Sequence, residues 1–309
     1  MKEIMAQTNI SQESYMLSNG VRIPKLGLGT WMISDEDAPE TVRKAVETGY
    51  RHIDTAQGYM NERGVGEGIR TCGVKREEIF VTSKLDAFIK DYDGAVAAIE
   101  GSLKKLDLDY IDLFIIHAPQ PWTHFREDDH YLEGNQAVWC AMEKAYKAGK
   151  LRAIGVSNFE EVDIENLLQH GDVKPMVNQI LCHVSNTPRE LISWCQQRDI
   201  LVEAYSPVGH GELLKNETMR QMAEMYGVSI PQLGIRYCLQ LGMVALPKTA
   251  NPDHMRTNAE VDFEISAEDM QALARVEPIR NYGDSSLFPV YGGKMDSQGH
   301  CTPRDFFNR

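Results

Sequence analysis

The chain has 309 residues, of which 42% are hydrophobic and 25% are charged, a composition typical of a globular protein with a sizeable core. Lys and Arg total 32 against 45 for Asp and Glu, and the formal net charge of -13 argues against nucleic-acid or anionic-membrane partners. Apolar runs such as 113–116 are far shorter than the roughly 20 residues of a membrane-spanning helix, and the amino terminus lacks a signal-peptide core. We therefore expect a cytoplasmic protein.

Short apolar runs alternate with amphipathic segments along the chain. Eight of these runs are strand candidates: 26–30, 52–56, 79–85, 111–117, 153–157, 176–180, 201–206 and 243–247. Eight strand-and-helix units in about 230 residues, joined by short loops, favour a closed parallel barrel over an open sheet. The predicted fold class is therefore α/β, a (β/α)8 TIM barrel.

Segments on either side of these units complete the predicted organisation. Asn19-Gly20 predicts a two-residue turn in a β-hairpin at about 15–24. This hairpin would cap the bottom of a barrel spanning about 25–260. A C-terminal helix and tail follow at about 266–309, and we expect the tail to dock over the mouth of the barrel. The tail contains four spaced aromatic residues: Phe288, Tyr291, Phe306 and Phe307. We expect residues 1–309 to form a single barrel domain.

Ionisable residues end three consecutive strand candidates. Asp54 ends the second candidate with Tyr59 on the loop just beyond, Lys84 ends the third, and His117 ends the fourth. Because the active site of a barrel lies at the carboxyl ends of its strands, these side chains should meet at one mouth. A phenol is too weak an acid at neutral pH unless a cation favours its phenolate, and Lys84 held by Asp54 can supply that cation. A neutral His117 can donate a hydrogen bond to the same substrate oxygen, so the set predicts protonation of a developing oxyanion.

Motifs at successive strand ends resemble the aldo-keto reductase family. In chain order they are Gly27-Leu28-Gly29-Thr30-Trp31, DTAQGYMNERGVGEGI, Lys84, HAP at 117–119, GVSNF at 155–159, Asn178-Gln179, Tyr205-Ser206-Pro207 and Pro247-Lys248-Thr249. The resemblance covers roughly residues 15–265. It implies a barrel that binds a nicotinamide dinucleotide without a Rossmann domain and reduces aldehydes or ketones to alcohols. It also implies that Tyr59 is the general acid, with Lys84, Asp54 and His117 as its partners.

The resemblance further implies a set of cofactor-binding residues. Ser157, Asn158 and Gln179 would bind the nicotinamide carboxamide, and the ring of Tyr205 would stack on the nicotinamide. The other implied cofactor residues are Gly29, Thr30, Asp54, Ser206, Val208, Gly209, Lys248, Thr249, His254 and Asn258. The implied walls of the substrate pocket are Trp31, His117 and Trp122.

Two positions depart from the family pattern. The family usually has an Arg six residues after Lys248 for the adenosine 2′-phosphate, and this chain has His254 there. We therefore expect NADPH as the cofactor, with a weaker preference than in relatives and with NADH possible. Ala118 follows His117 where many relatives have Trp, which predicts a substrate pocket that is more open on that side.

Alternative interpretations exist for two patterns and for the chain as a whole. His52-x-Asp54 with His117 could form part of a metal site, but alternation places His52 one pleat deeper, so we expect no metal. Gly64-x-Gly66-x-Gly68 lacks the spacing of a dinucleotide-binding motif and predicts close helix packing. The alternative function is a non-catalytic, cofactor-binding regulatory subunit of the same fold. Retention of all four polar groups favours an enzyme acting on a small-molecule carbonyl, as a monomer or weak oligomer.

Overall fold

An antiparallel hairpin precedes the central sheet in the computed structural model, which describes residues 9–302. The hairpin consists of β1 (Ser14–Met16) and β2 (Arg22–Pro24). The Asn19 side-chain amide donates to the Arg152 carbonyl oxygen at 2.9 Å, close to the amino-terminal end of a barrel strand, so the hairpin covers the bottom of the barrel. The predicted two-residue turn is wrong. The loop has three residues and closes on Gly20, whose φ of +84° suits the glycine-favoured position of that turn.

Eight parallel strands form the central sheet in chain order. They are β3 (Leu28–Gly29), β4 (His52–Asp54), β5 (Phe80–Leu85), β6 (Leu113–Ile116), β7 (Ile154–Ser157), β8 (Val177–Leu181), β9 (Leu201–Tyr205) and β10 (Val244–Leu246). Backbone hydrogen bonds of 3.0 Å from Gly27 N to Ala245 O and from Gly29 N to Pro247 O join the first strand to the last. The sheet therefore closes, and the predicted TIM barrel is confirmed.

Helices follow the barrel strands and pack around them. Within residues 9–302 they are α1 (Ala38–Thr48), α2 (Glu62–Thr71), α3 (Tyr92–Leu106), α4 (Leu132–Lys147), α5 (Glu161–His170), α6 (Arg189–Gln197), α7 (Glu217–Tyr226), α8 (Ile230–Gln240), α9 (Pro252–Ala259) and α10 (Ala267–Leu273). None of these helices combines the length and the apolar character that crossing a membrane requires.

Helix α2 is wedged tightly between α1 and α3. A methyl group on Gly66 would lie 2.0 Å from the Leu106 carbonyl oxygen at the end of α3, and one on Gly68 would lie 2.6 Å from Cβ of Val42 in α1. A methyl group on Gly64 would likewise lie 2.0 Å from the Asp35 carbonyl oxygen. These three glycines permit close helix packing, as the sequence predicts, because any side chain would overlap neighbouring backbone or a core residue.

The segment that follows α10 lies over the mouth of the barrel and ends in a hairpin of β11 (Lys294–Met295) and β12 (Cys301–Thr302). Phe288 packs edge-on against Trp31 with ring centroids 4.9 Å apart. The Tyr291 hydroxyl lies 2.7 Å from Ser206 Oγ and 2.6 Å from His210 Nε2. The predicted docking of the tail is therefore confirmed for these two aromatic residues. Phe306 and Phe307 lie outside the described residues.

The packing of α2 generates a stability prediction with an internal control. We expect Gly66→Ala to lower the free energy of unfolding by about 1–3 kcal/mol or more, because the added methyl group displaces the end of α3. Gly101, within α3, has no atom within 4 Å of such a methyl group, so Gly101→Ala should raise stability by up to about 1 kcal/mol. Urea unfolding of both variants measures the difference. Equal effects of the two substitutions would contradict the packing argument.

Candidate active site

A cavity of about 470 Å³ opens at the carboxyl ends of the barrel strands. Twelve of the candidate catalytic, cofactor and substrate-pocket residues line it: Gly29, Trp31, Asp54, Tyr59, His117, Trp122, Ser157, Asn158, Gln179, Tyr205, Ser206 and Lys248. The tail contributes further lining residues, namely Phe288, Pro289, Val290, Tyr291, Met295 and Gly299. Strand ends and tail therefore enclose one common space.

An ion pair lies beneath this cavity. Lys84 is fully buried, and its Nζ donates to Asp54 Oδ1 at 2.6 Å and to the Thr55 carbonyl oxygen at 2.9 Å. Its third hydrogen-bond partner is the Tyr59 hydroxyl, with Nζ and the phenol oxygen 3.3 Å apart. A buried ammonium is tolerated only when it is paired and hydrogen-bonded, and all three of its donors are used here.

Tyr59 is held as a neutral phenol. Burial, followed by the negative charge of Asp54, raises the pKa of Tyr59 well above its usual value of about 10. The Lys84 ammonium is near enough to oppose this shift, but its ion pair with Asp54 leaves little net charge beside the phenol. The net effect at rest is therefore a raised pKa of Tyr59, and the expected lowering by Lys84 stays a prediction. The ammonium can still stabilise negative charge on the phenol oxygen once the proton leaves.

His117 lies beside Tyr59, with ring centroids 5.6 Å apart in an edge-to-face arrangement. Burial and the nearby Lys84 charge lower the pKa of His117 well below its usual 6.5. The imidazole is therefore neutral at physiological pH and retains one N–H donor. Its other ring neighbour is Trp122, with centroids 5.1 Å apart.

Below the ion pair lies a second carboxyl group that the sequence reasoning missed. Gln179 Nε2 donates to Asp54 Oδ2 at 2.9 Å and to Glu203 Oε2 at 2.8 Å. Glu203 is fully buried, and burial followed by the charge of Asp54 raises its pKa to about 8. The signal was present in the sequence, because a charged residue interrupts an apolar strand two positions before Tyr205 and so faces the same side, the barrel interior.

Asn158 and Tyr205 are hydrogen-bonded to each other at the floor of the cavity. The Tyr205 hydroxyl donates to Asn158 Oδ1 at 2.7 Å, while Asn158 Nδ2 donates to the His117 carbonyl oxygen and to Ser157 Oγ, both at 3.0 Å. Asn158 has a φ of +60°, in the left-handed region that asparagine tolerates better than most residues. The side chains implied to bind a carboxamide are thus gathered in one place.

Several implied cofactor residues lie outside the lining of the cavity. The Thr30 hydroxyl is fully buried and donates to the Asp54 carbonyl oxygen at 2.9 Å, which leaves it facing away from the mouth. The other residues outside the lining are Val208, Gly209, Thr249, His254 and Asn258. Lys248 and His254 are exposed, while Arg256 pairs with Asp253 and Glu260 along α9. Among the residues that line the cavity, the exposed cation is therefore Lys248.

His52 and Asp54 do not share a site. His52 Nε2 lies 2.9 Å from Thr82 Oγ1, within the barrel and below the ion pair, and burial lowers its pKa to about 3. No group of three or more His, Cys, Asp or Glu side chains in the part of the chain that the structure describes could hold a metal ion.

Comparison with known proteins agrees with this geometry. The Aldo/keto reductase family model matches residues 25–278. Glyoxal reductase of Bacillus subtilis (strain 168) is 43% identical over 282 residues, covering 90% of this chain and 98% of that protein. Methylglyoxal reductase DkgA of Escherichia coli (strain K12) is 36% identical over 270 residues, covering 86% and 94%.

Solved structures give the same result. An aldo-keto reductase from Brucella melitensis superposes with a TM-score of 0.81 at 36% identity, covering 88% of this chain and all of that one. The aldo-keto reductase of Bombyx mori in complex with NADP gives a TM-score of 0.78 at 34% identity, covering 90% and 98%. The chain belongs to the aldo/keto reductase family. It is an NAD(P)H-dependent oxidoreductase of carbonyl compounds.

The buried Glu203 generates a pH prediction. Its pKa is raised to about 8 in the folded protein, so the folded state binds an extra proton between about pH 4.5 and 8. Stability therefore falls as pH rises through this window. Gln at this position carries no charge, so Glu203→Gln should lack that loss of stability. The free energy of unfolding of the variant, relative to that of wild type, should be higher at pH 8.5 than at pH 5.5 by at least about 1 kcal/mol. Urea unfolding of both proteins at the two pH values measures it. Identical pH dependence in the variant and wild type would refute a neutral Glu203.

Proposed function

We propose that this protein reduces a small aldehyde or ketone to an alcohol, with Tyr59 as the general acid and NADPH as the hydride donor. The observation that carries the proposal is the series of contacts from Asp54 through Lys84 to the Tyr59 hydroxyl, at 2.6 and 3.3 Å, which ends in the cavity. A regulatory subunit that only bound cofactor would not require this arrangement.

The acid step follows from the charges around Tyr59. A carbonyl oxygen placed against the phenol gains negative charge as the carbonyl carbon is reduced, and the phenol then gives up its proton. Lys84 stabilises the resulting phenolate, and Asp54 keeps the ammonium in position. The neutral His117 donates its N–H to the same oxygen and fixes the direction of the carbonyl.

The residues present fit a nicotinamide dinucleotide. NADPH bound at the mouth supplies the hydride. Both N–H groups of the Gln179 amide are used on Asp54 and Glu203, which leaves its oxygen to accept from a carboxamide. Ser157 and Asn158 supply further polar groups beside it, and Tyr205 supplies an aromatic ring. Lys248 provides a cation for a 2′-phosphate, with Thr249 and His254 close by in the chain.

The size of the substrate is argued from the relatives and the cavity together. The two reductases compared above are named for glyoxal and methylglyoxal, which are small dicarbonyl compounds. The cavity has aromatic walls at Trp31, Trp122 and Phe288, and Ala118 is fully buried beside His117 without adding bulk. We therefore include small dicarbonyls and aromatic aldehydes in the proposed substrate range.

Removing the phenol hydroxyl tests the acid. Tyr59→Phe should lower kcat for a small aldehyde by about 100-fold or more, because the proton donor is lost. The Kd for NADPH should stay within a few-fold of wild type. Tyr146→Phe is the matched control, since its hydroxyl only accepts a weak 3.4 Å bond from Asn19 outside the barrel mouth. Steady-state kinetics and cofactor fluorescence titration give both quantities. Near-normal turnover by Tyr59→Phe would contradict the proposal that Tyr59 is the general acid.

The choice between NADPH and NADH is tested separately. Charge-assisted hydrogen bonds contribute about 1.5–3 kcal/mol each, so Lys248→Met should weaken NADPH binding roughly 10- to 100-fold with little change for NADH. His254→Arg should strengthen NADPH binding, because a guanidinium binds phosphate through two hydrogen bonds. Fluorescence titrations with both cofactors measure the four Kd values and those of wild type. Equal or tighter binding of NADH by the unmodified protein would show that Lys248 forms no 2′-phosphate site.

A further inference from the structure

We propose that Asp86 makes the substrate side of the cavity select neutral and cationic carbonyl compounds over those that carry a carboxylate. The inference rests on the proposed function, because it specifies which carbonyl compounds reach Tyr59. Asp86 follows β5, the strand that carries Lys84, but it takes no part in the proposed proton transfer.

The position of Asp86 follows from the strand before it. Strand β5 ends at Leu85, so Asp86 is the first residue beyond the strand and lies two positions after Lys84. Residues two apart in extended chain point to the same side, so Asp86 faces the mouth above Lys84. It is half-buried and lines the cavity, as Phe88 does.

The carboxylate of Asp86 lacks a cationic partner. Its Oδ1 accepts from the Phe88 backbone N–H at 3.0 Å, and its own backbone N–H donates to Gln57 Oε1 at 2.9 Å. No Lys, Arg or His within residues 9–302 forms an ion pair with it. The loop contact holds the group in place, and the cation that interacts with its charge from a distance is Lys90.

None of the neighbouring cations forms an ion pair with Asp86 among residues 9–302, and Lys90 interacts with it only at longer range. Lys84 is paired with Asp54, and Lys90 donates to the Ala118 carbonyl oxygen and to Asn135 Oδ1. Burial lowers the pKa of Lys90 to about 7, which reduces its mean charge further. His117 is neutral for the reason given above. Lys248 lies beyond β10, three strands away around the barrel from β5, on the proposed cofactor side.

The rest of the substrate wall is aromatic. Trp31, Trp122, Phe288 and Phe88 contribute apolar surface around Asp86. Such walls exclude water, so the field of an unpaired carboxylate is screened less than in solution. Aromatic faces accept neutral rings and cations equally well. A substrate carboxylate in this space would meet a like charge that no ion pair neutralises and that a partly charged Lys90 offsets only in part.

Three para-substituted benzaldehydes test the selection at nearly constant shape. They are 4-formylbenzoate, its neutral methyl ester, and the cationic 4-formyl-N,N,N-trimethylanilinium. The value of kcat/KM is measured for each with saturating NADPH, in wild type and in Asp86→Asn. Asparagine keeps the acceptor for the Phe88 N–H, so the loop contact survives. Asp128→Asn is the matched control, since it removes the same charge from an exposed loop position outside the cavity lining.

We expect wild type to favour the ester and the cation over the benzoate. The ester-to-benzoate ratio of kcat/KM should fall at least about five-fold in Asp86→Asn and change less than about two-fold in Asp128→Asn. Raising the salt concentration should lower the ester-to-benzoate ratio of kcat/KM in wild type, because salt screens the repulsion. An unchanged ratio in Asp86→Asn, or an equal change in the Asp128→Asn control, overturns the proposal.

The outcome for the proposed function is read separately. A protein that reduces none of the three aldehydes contradicts carbonyl reduction itself, whatever Asp86 does. In that case, calorimetric titration of the NADPH-loaded protein with benzoate and benzamide still measures the charge selection of the wall. Tighter binding of benzamide in wild type and near-equal binding in Asp86→Asn support the role of Asp86. Equal discrimination by both proteins counts against it.

Discussion

Lys84 carries a positive charge into the interior of a barrel from which water is excluded, and Asp54 compensates that charge at 2.6 Å. The positions of the surrounding groups follow from this pair. The Tyr59 hydroxyl accepts the third hydrogen bond of the ammonium, and Gln179 donates to the second carboxylate oxygen of Asp54. Glu203 lies immediately below, and burial together with the charge of Asp54 raises its pKa to about 8, which favours the protonated form at neutral pH. An ionised Glu203 would leave the interior with a net negative charge and would weaken the hold of Lys84 on a developing phenolate.

The same pair explains why the resting acid is so weak. A lone ammonium near a phenol would lower the pKa of the phenol, but a closely paired ammonium presents mainly a dipole. Burial then dominates, and Tyr59 keeps its proton until charge develops on the group opposite it. The raised pKa agrees with the proposed mechanism, in which Tyr59 gives up its proton only as the substrate oxygen gains negative charge.

Regular alternation is what made much of the site predictable. Eight apolar runs gave the strands, and polar residues at their carboxyl ends gave Asp54, Lys84 and His117. Interactions between distant segments left no comparable local pattern. The contact of Tyr291 with Ser206 joins residues that are 85 positions apart, and no spacing rule indicates it. The motif around Thr30 likewise does not reveal that its hydroxyl donates to the Asp54 carbonyl oxygen, 24 positions away. The contact between Gln179 and Glu203 joins residues 24 positions apart, so it leaves no local motif either.

Different stretches of chain supply the proposed catalytic residues and the wall of the cavity. The proposed acid and its partners lie between residues 54 and 117, whereas much of the opposite wall comes from residues 288–299. A mutation in that late segment can reshape the enclosure while the strands keep their hydrogen bonds and ion pair. Evolution can therefore change the shape of the cavity through the tail while the strand-end residues keep their contacts.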